Sequence, residues 1–298
     1  MTTYVSSGIA WAANAINDAL FRLRASSLHA AFTGAGLTQT ADTGQINFTT
    51  VTCPGTTNTD AGYAIYAFAD AAQGTDPIYL KIVYGTGASG GSCQYKVQLG
   101  QGTNGAGTLT GTLSTQLVCA NGSASNAETV QHYACHTAGY FVMFGGLGNS
   151  SQGGRPMSFF MVARTRDDTG ALDGLGGLIC YESAPTALPS FQFVRWLNNA
   201  FVGAVTAHFC IVPGIPASTS LISGDKQLYP HFYADPSVRP SWSSSTVRGS
   251  EFGTSPTTFA CTPIAALGSR TFIFIGSGLA PYGESGSNTA FQMAFLWE

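Results

Sequence analysis

The side chains best suited to bind a metal ion lie in one short stretch, His132-Tyr-Ala-Cys135-His136, with Cys119 upstream. Zinc requires four converging nitrogen or sulfur ligands, and structural zinc sites usually have paired ligands at short spacings. Because only one such cluster is present, ordinary strand and loop residues explain it better than a metal site does. We therefore predict no metal and no cofactor; analysis of the metal content of the purified protein tests this.

Two glycine motifs match enzyme signatures. Gly100–Gly105 has the GxGxxG spacing of dinucleotide-binding loops, and Gly87–Gly91 has the GxSxG spacing of a nucleophile elbow. Both signatures require a helix that begins at the motif. Strand or turn sequence follows each motif here, so neither nucleotide binding nor a nucleophile elbow is predicted, and Gly87–Gly91 is predicted to be a hairpin loop.

Acidic residues could bind calcium or hydrolyse a glycosidic bond. Asp167, Asp168 and Asp173 lie in one polar stretch, but their spacing departs from the EF-hand loop and favours a β-turn. A glycosidase needs two carboxyl groups held close together, and no acidic pair stands out by its spacing. We predict no enzymatic activity; a hydrolase acting on cell-surface polysaccharide stays open as an alternative.

The proline-rich loop Asp225–Ser245 carries the side chains best suited to contact a partner or a sugar. These are Tyr229, His231, Phe232, Tyr233 and Trp242. Exposed aromatic rings can stack on sugars or dock a partner subunit. The same rings can equally pack on the sheet of their own chain, and both interpretations stay open.

The elements that would position these residues are predicted to be strands. In a central hairpin, Ile78–Tyr84 is continuously apolar, and Cys93–Leu99 alternates apolar with polar residues. Gly62–Asp70 fits a strand or a short helix. Other strand-like runs are Ser114–Cys119, Gly139–Phe144, Met157–Thr165, Gly176–Glu182, His208–Val212, Arg270–Gly276 and Phe291–Trp297. Many short strands without intervening amphipathic helices predict an all-β fold, an antiparallel β-sandwich or jelly roll.

One short N-terminal α-helix is predicted, at Ile9–Arg24, where Asp18 and Arg22 can pair four residues apart. Its apolar face recurs at spacings of four and three and consists of Ile9, Ala13, Ile16, Leu20 and Leu23. This face packs on the chain's own sheet, or it bundles with the same helix of neighbouring subunits. Residues 1–31 are thus predicted to be a helical segment, and residues 32–298 a β-rich region that could divide near residues 149–155.

Charged residues are scarce, at 9% of the chain against about 25% in a typical protein. The net charge of −3 argues against nucleic acid or an anionic membrane as a partner, and no apolar run is long enough for membrane insertion. Seven scattered cysteines without a CxxC pair indicate reduced thiols and assembly in a cytosol. A free monomer with so few charges resists association poorly, so we expect a homo-oligomer.

Several phrases of the sequence resemble a family of tailed-bacteriophage virion proteins. They are PIYLKIVYGTG, VQLGQGTNGAGTLTG, SFFMVARTRDDTGALDG, LYPHFYADPSVRPS and the closing AFLWE. The likeness extends over most of the chain after about residue 60. It implies a virion component present in multiple copies in the tail, baseplate, collar or tail fibre region.

Together these observations predict a non-enzymatic structural subunit of a virion, assembled in the host bacterial cytoplasm. Its expected partners are copies of itself and other tail or head-tail proteins. The alternatives are a receptor-binding or glycan-binding tail protein that contacts host surface glycan, a capsid decoration protein, and the polysaccharide hydrolase considered above.

Overall fold

The structure is a computed structural model. It describes residues 2–6, 9–10, 17–87, 93–112, 116–121, 129–137, 139–147, 158–166, 172–182, 191–197, 200–205, 208–210, 228–234, 246–254, 262–267, 270–275 and 291–296. Side chains are described for most of these residues up to 111 and for a few positions between 116 and 164.

The described residues form twenty strands, one α-helix and one short 3-10 helix. The α-helix, α1, is Asp18–Gly34, and the 3-10 helix is Ala71–Gly74. The strands are β1 (Thr2–Val5), β2 (Ile9–Ala10), β3 (Thr38–Gln39), β4 (Asp60–Ala67), β5 (Tyr79–Thr86), β6 (Cys93–Thr103), β7 (Leu109–Thr112), β8 (Leu117–Asn121), β9 (Thr129–Thr137), β10 (Tyr140–Leu147), β11 (Ser158–Arg166), β12 (Leu172–Glu182), β13 (Phe191–Leu197), β14 (Ala200–Val205), β15 (His208–Cys210), β16 (Leu228–Ala234), β17 (Thr246–Thr254), β18 (Thr262–Leu267), β19 (Arg270–Ile275) and β20 (Phe291–Leu296).

The strands pair in two antiparallel sheets. Sheet A has the order β1-β9-β10-β11-β17-β20-β19-β18; β12 to β14 extend from β11, β15 and β16 extend from β17, and β2 lies beside β9. Sheet B has the order β3-β4-β5-β6-β7, with β8 also paired to β6. The predicted class, mostly antiparallel β-structure with one helix, is confirmed. Of the described helices, none combines the length and apolar character that a membrane span requires.

The predicted central hairpin is confirmed as β5 and β6, which pair from Tyr79 with Gly100 to Thr86 with Cys93. The alternating apolar residues of β6 (Tyr95, Val97 and Leu99) are completely buried. On β5, consecutive residues are buried, as expected for a strand covered on both faces. The ambiguous stretch Gly62–Asp70 is strand for most of its length, as β4.

The seven later strand predictions correspond to β8, β10, β11, β12, β15, β19 and β20, with ends shifted by a few residues. The prediction of a continuous loop at Asp225–Ser245 is wrong for Leu228–Ala234, which is β16. Pro230 favoured a loop because proline cannot donate to a sheet. The register of β16 against β17 shifts between Pro230 and Phe232, an irregularity that allows proline within a strand.

The predicted position of the helix is wrong. Ile9 lies in β2, where it pairs with Val130 of β9, and the helix begins only at Asp18. Asn17 caps it, because its Oδ1 accepts a hydrogen bond of 2.9 Å from the Leu20 amide. The expected Asp18–Arg22 ion pair is present at 3.5 Å. Ala13 and Ile16 lie outside the described residues.

The buried stripe of α1 also differs from the predicted one. It contains Phe21, Ala25, Leu28 and Phe32, at spacings of four, three and four. Leu20, by contrast, is half-buried and Leu23 is 49% exposed. The correct stripe was missed because Arg24 and Ser27 place polar residues on the same side of the helix.

Helix α1 contacts both sheets within one hydrophobic core. The ring of Phe32 lies 5.0 Å from the ring of Tyr66 on β4 and 5.9 Å from that of Phe141 on β10. The packing of α1 on its own chain is therefore observed. Contact of its Leu20–Leu23 side with neighbouring subunits remains a prediction.

Candidate functional site

The metal-capable residues His132, Cys135 and His136 lie on β9 but do not converge. Successive residues of a strand point to opposite faces, so Cys135 lies on the face opposite to the two histidines. Those histidines are four residues apart, which is about 13 Å along a strand. No group of three His, Cys, Asp or Glu side chains is placed to hold a metal ion in the part of the chain that is described.

The other predicted sites lie apart from one another in the fold. Tyr229, His231, Phe232 and Tyr233 are on β16, between β15 and β17, and Trp242 lies outside the described residues. The GxGxxG stretch leads from β6 into the turn before β7, where Gly105 has a φ of +76°. The first four residues of the motif, Gly100–Thr103, are therefore strand, and no helix begins at the motif. Gly87 is described but the rest of the GxSxG stretch is not, and Asp173 lies in β12 while Asp167 and Asp168 are not described.

The structure brings together a different set of titratable and polar side chains, where α1 meets the two sheets. We call this set the interlayer cluster. It consists of Arg24, Ser27, His29, Tyr66, Tyr84, Cys93, His132 and His136. Most of these groups are buried, so their protonation and their hydrogen bonds are set by contacts within the chain.

One hydrogen-bonded chain leads from the helix into sheet B. The hydroxyl of Tyr66 lies 2.9 Å from His29 Nδ1 and 3.1 Å from the hydroxyl of Tyr84. His29 also stacks on Phe48, with 4.4 Å between ring centroids. Burial raises the pKa of Tyr66 and of Tyr84 well above the ordinary value and lowers the pKa of His29. All three groups are therefore neutral at neutral pH.

A second contact joins the helix to sheet A. Ser27 Oγ lies 3.0 Å from Nδ1 of His132, and both residues are buried. The main chain of His132 also holds Ser6, which follows β1: the Ser6 amide donates to the His132 carbonyl at 2.9 Å, and Ser6 Oγ accepts from the His132 amide at 2.8 Å. Complete burial lowers the pKa of His132 to about 4. The N-terminal strand, the helix and sheet A thus meet at one neutral histidine.

Arg24 of α1 is completely buried, which is rare for arginine. Its Nη1 lies 3.6 Å from Sγ of Cys93, the first residue of β6. Burial raises the pKa of Cys93 to about 11, although the nearby guanidinium partly opposes this rise. Because the thiolate is the reactive form of cysteine, the protonated thiol at this position is suited to packing.

A buried ion pair joins the two sheets beside the interlayer cluster. Arg164 on β11 donates from Nε to Asp70 Oδ2 at 2.9 Å and from Nη2 to Asp70 Oδ1 at 3.1 Å. The exposed fractions of these side chains are 5% and 2%. Arg164 also donates to the main-chain carbonyl of Asp76, and Asp70 and Asp76 flank the 3-10 helix between β4 and β5. One guanidinium thus fixes this connection of sheet B against sheet A.

A further buried carboxylate, Asp42, anchors the loop between β3 and β4. It accepts hydrogen bonds from Thr40 Oγ1 at 2.7 Å, Thr103 Oγ1 at 2.9 Å and the Gly107 amide at 3.1 Å. Burial by itself raises the pKa of Asp42, but these hydrogen bonds outweigh it and lower the pKa below the ordinary value. Asp42 therefore remains ionised and holds this loop against the turn between β6 and β7.

These groups are suited to hold elements in place. A general base or nucleophile must come within hydrogen-bond reach of a substrate atom. In the interlayer cluster the observed contacts join the helix to each sheet, and the buried Asp70–Arg164 pair joins sheet to sheet. The arrangement specifies how α1 docks, because a buried polar group without its partner is costly.

The sequence contained a signal for only part of this arrangement. Arg24 lies three residues after Phe21 and four before Leu28, so the corrected helical stripe places it inward. Asp70 and Arg164 are 94 residues apart in the chain, and no local pattern indicates that they meet.

Comparison of the chain with protein-family models, curated proteins and solved structures finds no match. Its function is therefore inferred from its own residues and contacts.

Proposed function

We propose that the chain is a non-enzymatic structural subunit of a tailed-phage virion, which self-associates and docks onto tail or head-tail components. The observation that carries this proposal is the scarcity of charge, at 9% of residues. Such a chain gains solubility and order when its faces are covered by sister copies. The resemblance to tailed-phage virion proteins is our reason for proposing that those copies assemble in a phage particle.

The contacts of the charged side chains support the proposal. Where side chains are described, these residues are Asp18, Arg22, Arg24, Asp42, Asp60, Asp70, Asp76, Lys81, Lys96 and Arg164. Four are buried, two partly exposed pairs bond each other, and Lys81 donates to the carbonyl of Gly107. The surface of this part of the chain therefore carries fewer unpaired charges than the composition alone would indicate.

The proposed mechanism is association through broad, weakly charged faces. Apolar anchors and main-chain hydrogen bonds supply the binding energy at such interfaces, and polar rims exclude water. The exposed Leu23 of α1 and the exposed Val5 of β1 are the large apolar side chains available for this among those described.

The finer architecture belongs to the same proposal. We interpret sheets A and B as the layers of a β-sandwich or jelly roll, with α1 packed at their junction. Support comes from Phe32, which contacts aromatic rings of both sheets, and from the Asp70–Arg164 pair that joins them. The division into residues 1–31 and 32–298, with a boundary near 149–155, remains a prediction.

Size-exclusion chromatography with light scattering tests the self-association. The expected result is a mass that is a multiple of the chain mass, whereas a stable monomer at high concentration contradicts the proposal. Gold-labelled antibody against this protein, imaged on intact particles, tests the location. Label at a regular position on the tail or neck supports the virion assignment, and unlabelled particles contradict it.

A receptor-binding or glycan-binding role is the second candidate, favoured by the aromatic residues of β16 and by Trp242. In this case Trp242→Ala would reduce adsorption of particles to host cells while particle assembly is unchanged. Unchanged adsorption argues against this candidate and leaves the structural role in place.

A further inference from the structure

Three of the five histidines of the chain lie in the layer between α1 and the two sheets. His29 belongs to the helix, His132 is bonded to Ser27 of the helix, and His136 lies against Gly36, two residues after the helix ends. Every one of these rings therefore lies beside residues 18–36 or belongs to them. None can be hydrated fully while this segment stays docked.

The contacts described for the three rings are with hydroxyl groups and aromatic rings. His29 faces Tyr66 and Phe48, and His132 faces Ser27. His136 faces the rings of Phe68, at 5.2 Å, and Phe141, at 6.4 Å, and its Nε2 has no hydrogen-bond partner among the described residues.

Charged side chains already lie in and beside this layer. Arg24 is buried on α1, three residues before Ser27, and the carboxylate that acts on a ring here, Asp70, is already held by Arg164. Further protons would therefore enter an apolar and aromatic layer that already contains the Arg24 guanidinium. Burying uncompensated charge in such surroundings is unfavourable.

We propose that residues 18–36 form an acid-released element, which undocks from the two sheets when His29, His132 and His136 become charged. This inference does not depend on the proposed function. The hairpin of β5 and β6 contains no histidine, so we expect the main-chain pairing of its two strands to persist in the same step. The device is thus local to the helix and the turn that follows it.

The direction of the pH dependence follows from burial. Burial lowers the pKa of His29, of His132 to about 4, and of His136, where Asp70 opposes the decrease and Arg164 and the N-terminal charge add to it. The docked state therefore binds fewer protons than the undocked state. Docking is fully stable above the ordinary histidine pKa of 6.5 and weakens as the pH falls from there towards about 4.

Hydrogen exchange of the full-length protein, corrected for the intrinsic pH dependence of exchange, tests the proposal. Between about pH 6.5 and about pH 4, we expect protection of the α1 amides to fall at least about tenfold, reversibly, while β5 and β6 stay protected. The proposal is overturned if α1 keeps its protection, or if β5 and β6 lose theirs in the same transition.

Variants distinguish the effect of histidine protonation from the other effects of low pH. His132→Asn keeps a polar atom near the Nδ1 position opposite Ser27, and His136→Phe suits the rings of Phe68 and Phe141. The double variant should reduce the acid-induced loss of protection at least about tenfold. The control, His208→Gln, changes a histidine on β15 and should behave as the wild type. Equal acid sensitivity of the double variant and the control contradicts the proposal.

If the double variant does not fold, NMR titration of the histidine rings in the wild-type protein tests the proposal instead. The rings of His132 and His136 should titrate in the same step in which α1 loses protection. If they become charged while α1 remains protected, the proposal fails.

Discussion

At the scale of single residues, buried polar pairs decide which elements meet. The contacts of Ser27 with His132, of His29 with Tyr66 and of Asp70 with Arg164 each join two elements that are distant in the chain. Such pairs add little net stability, because the cost of desolvation offsets their attraction. They act mainly by penalising any packing that leaves one partner alone.

The Asp70–Arg164 pair allows this to be tested. Asp70→Asn should lower the free energy of unfolding by about 3–5 kcal/mol, because it leaves the buried guanidinium without its counter-charge. Urea denaturation followed by circular dichroism measures the change.

The matched control is Asp60→Asn, which removes the carboxylate paired with Lys96 at 2.6 Å, where the Asp60 side chain is 45% exposed. Solvent screens this pair, so the loss should be at most about 1 kcal/mol. Equal losses in the two variants would show that burial of the Asp70–Arg164 pair has no special role.

At the scale of elements, α1 owes its position to tertiary packing. Its bounds, Asp18–Gly34, are set by the Asn17 cap and by the inward stripe of Phe21, Ala25, Leu28 and Phe32. The stripe predicted from Leu20 and Leu23 continued a regular spacing, but Leu23 points towards solvent. Most helical stability in proteins comes from packing of one face, and here that face includes polar residues with partners in both sheets.

Two leucines of the same helix provide a matched pair of substitutions. Leu28 is 2% exposed and Leu23 is 49% exposed. Leu28→Ala should cost about 2–5 kcal/mol of unfolding free energy, because it removes core contacts and leaves a cavity. Leu23→Ala should change it by at most about 0.5 kcal/mol.

Thermal and urea unfolding of the purified variants compare these two effects. A larger loss for Leu23→Ala than for Leu28→Ala would mean that the wrong face of α1 has been assigned to the core. In that case the stripe of Leu20 and Leu23 would be the packed one.

At the scale of the whole molecule, two antiparallel sheets share one core with one helix in the part of the chain that is described, and most of the described charges bond within the chain. The outer surface of this part is therefore polar but weakly charged. Under the proposed function, such a surface associates through apolar contacts and hydrogen bonds. Long-range attraction between ions contributes little.

The salt dependence of the oligomer tests this view. Its mass in sedimentation velocity should stay constant from about 0.05 M to about 1 M sodium chloride, because salt screens ionic contacts and leaves apolar burial intact. Dissociation at high salt would mean that charge pairs between subunits hold the assembly. The proposed mechanism would then be wrong even if the protein is an oligomer.

The sequence by itself determined the antiparallel class, the central hairpin and seven further strands. The alternation of Tyr95, Val97 and Leu99 is a local pattern, and the face that it assigns to the core is the buried one. The pattern failed on β9, where His132 and His136 occupy inward positions that apolar residues usually take. It failed on β16 because Pro230 resembles a loop residue.

Only the tertiary structure decided where α1 begins, which of its faces is buried and which polar residues meet. Periodicity extends over a few neighbouring residues, so it shows whether a segment can form a strand or a helix. It does not predict contacts between distant residues, such as that between Asp70 and Arg164, which are 94 residues apart. Whether a charge or a histidine lies inside depends on the partner that folding brings to it, and that partner comes from another part of the chain.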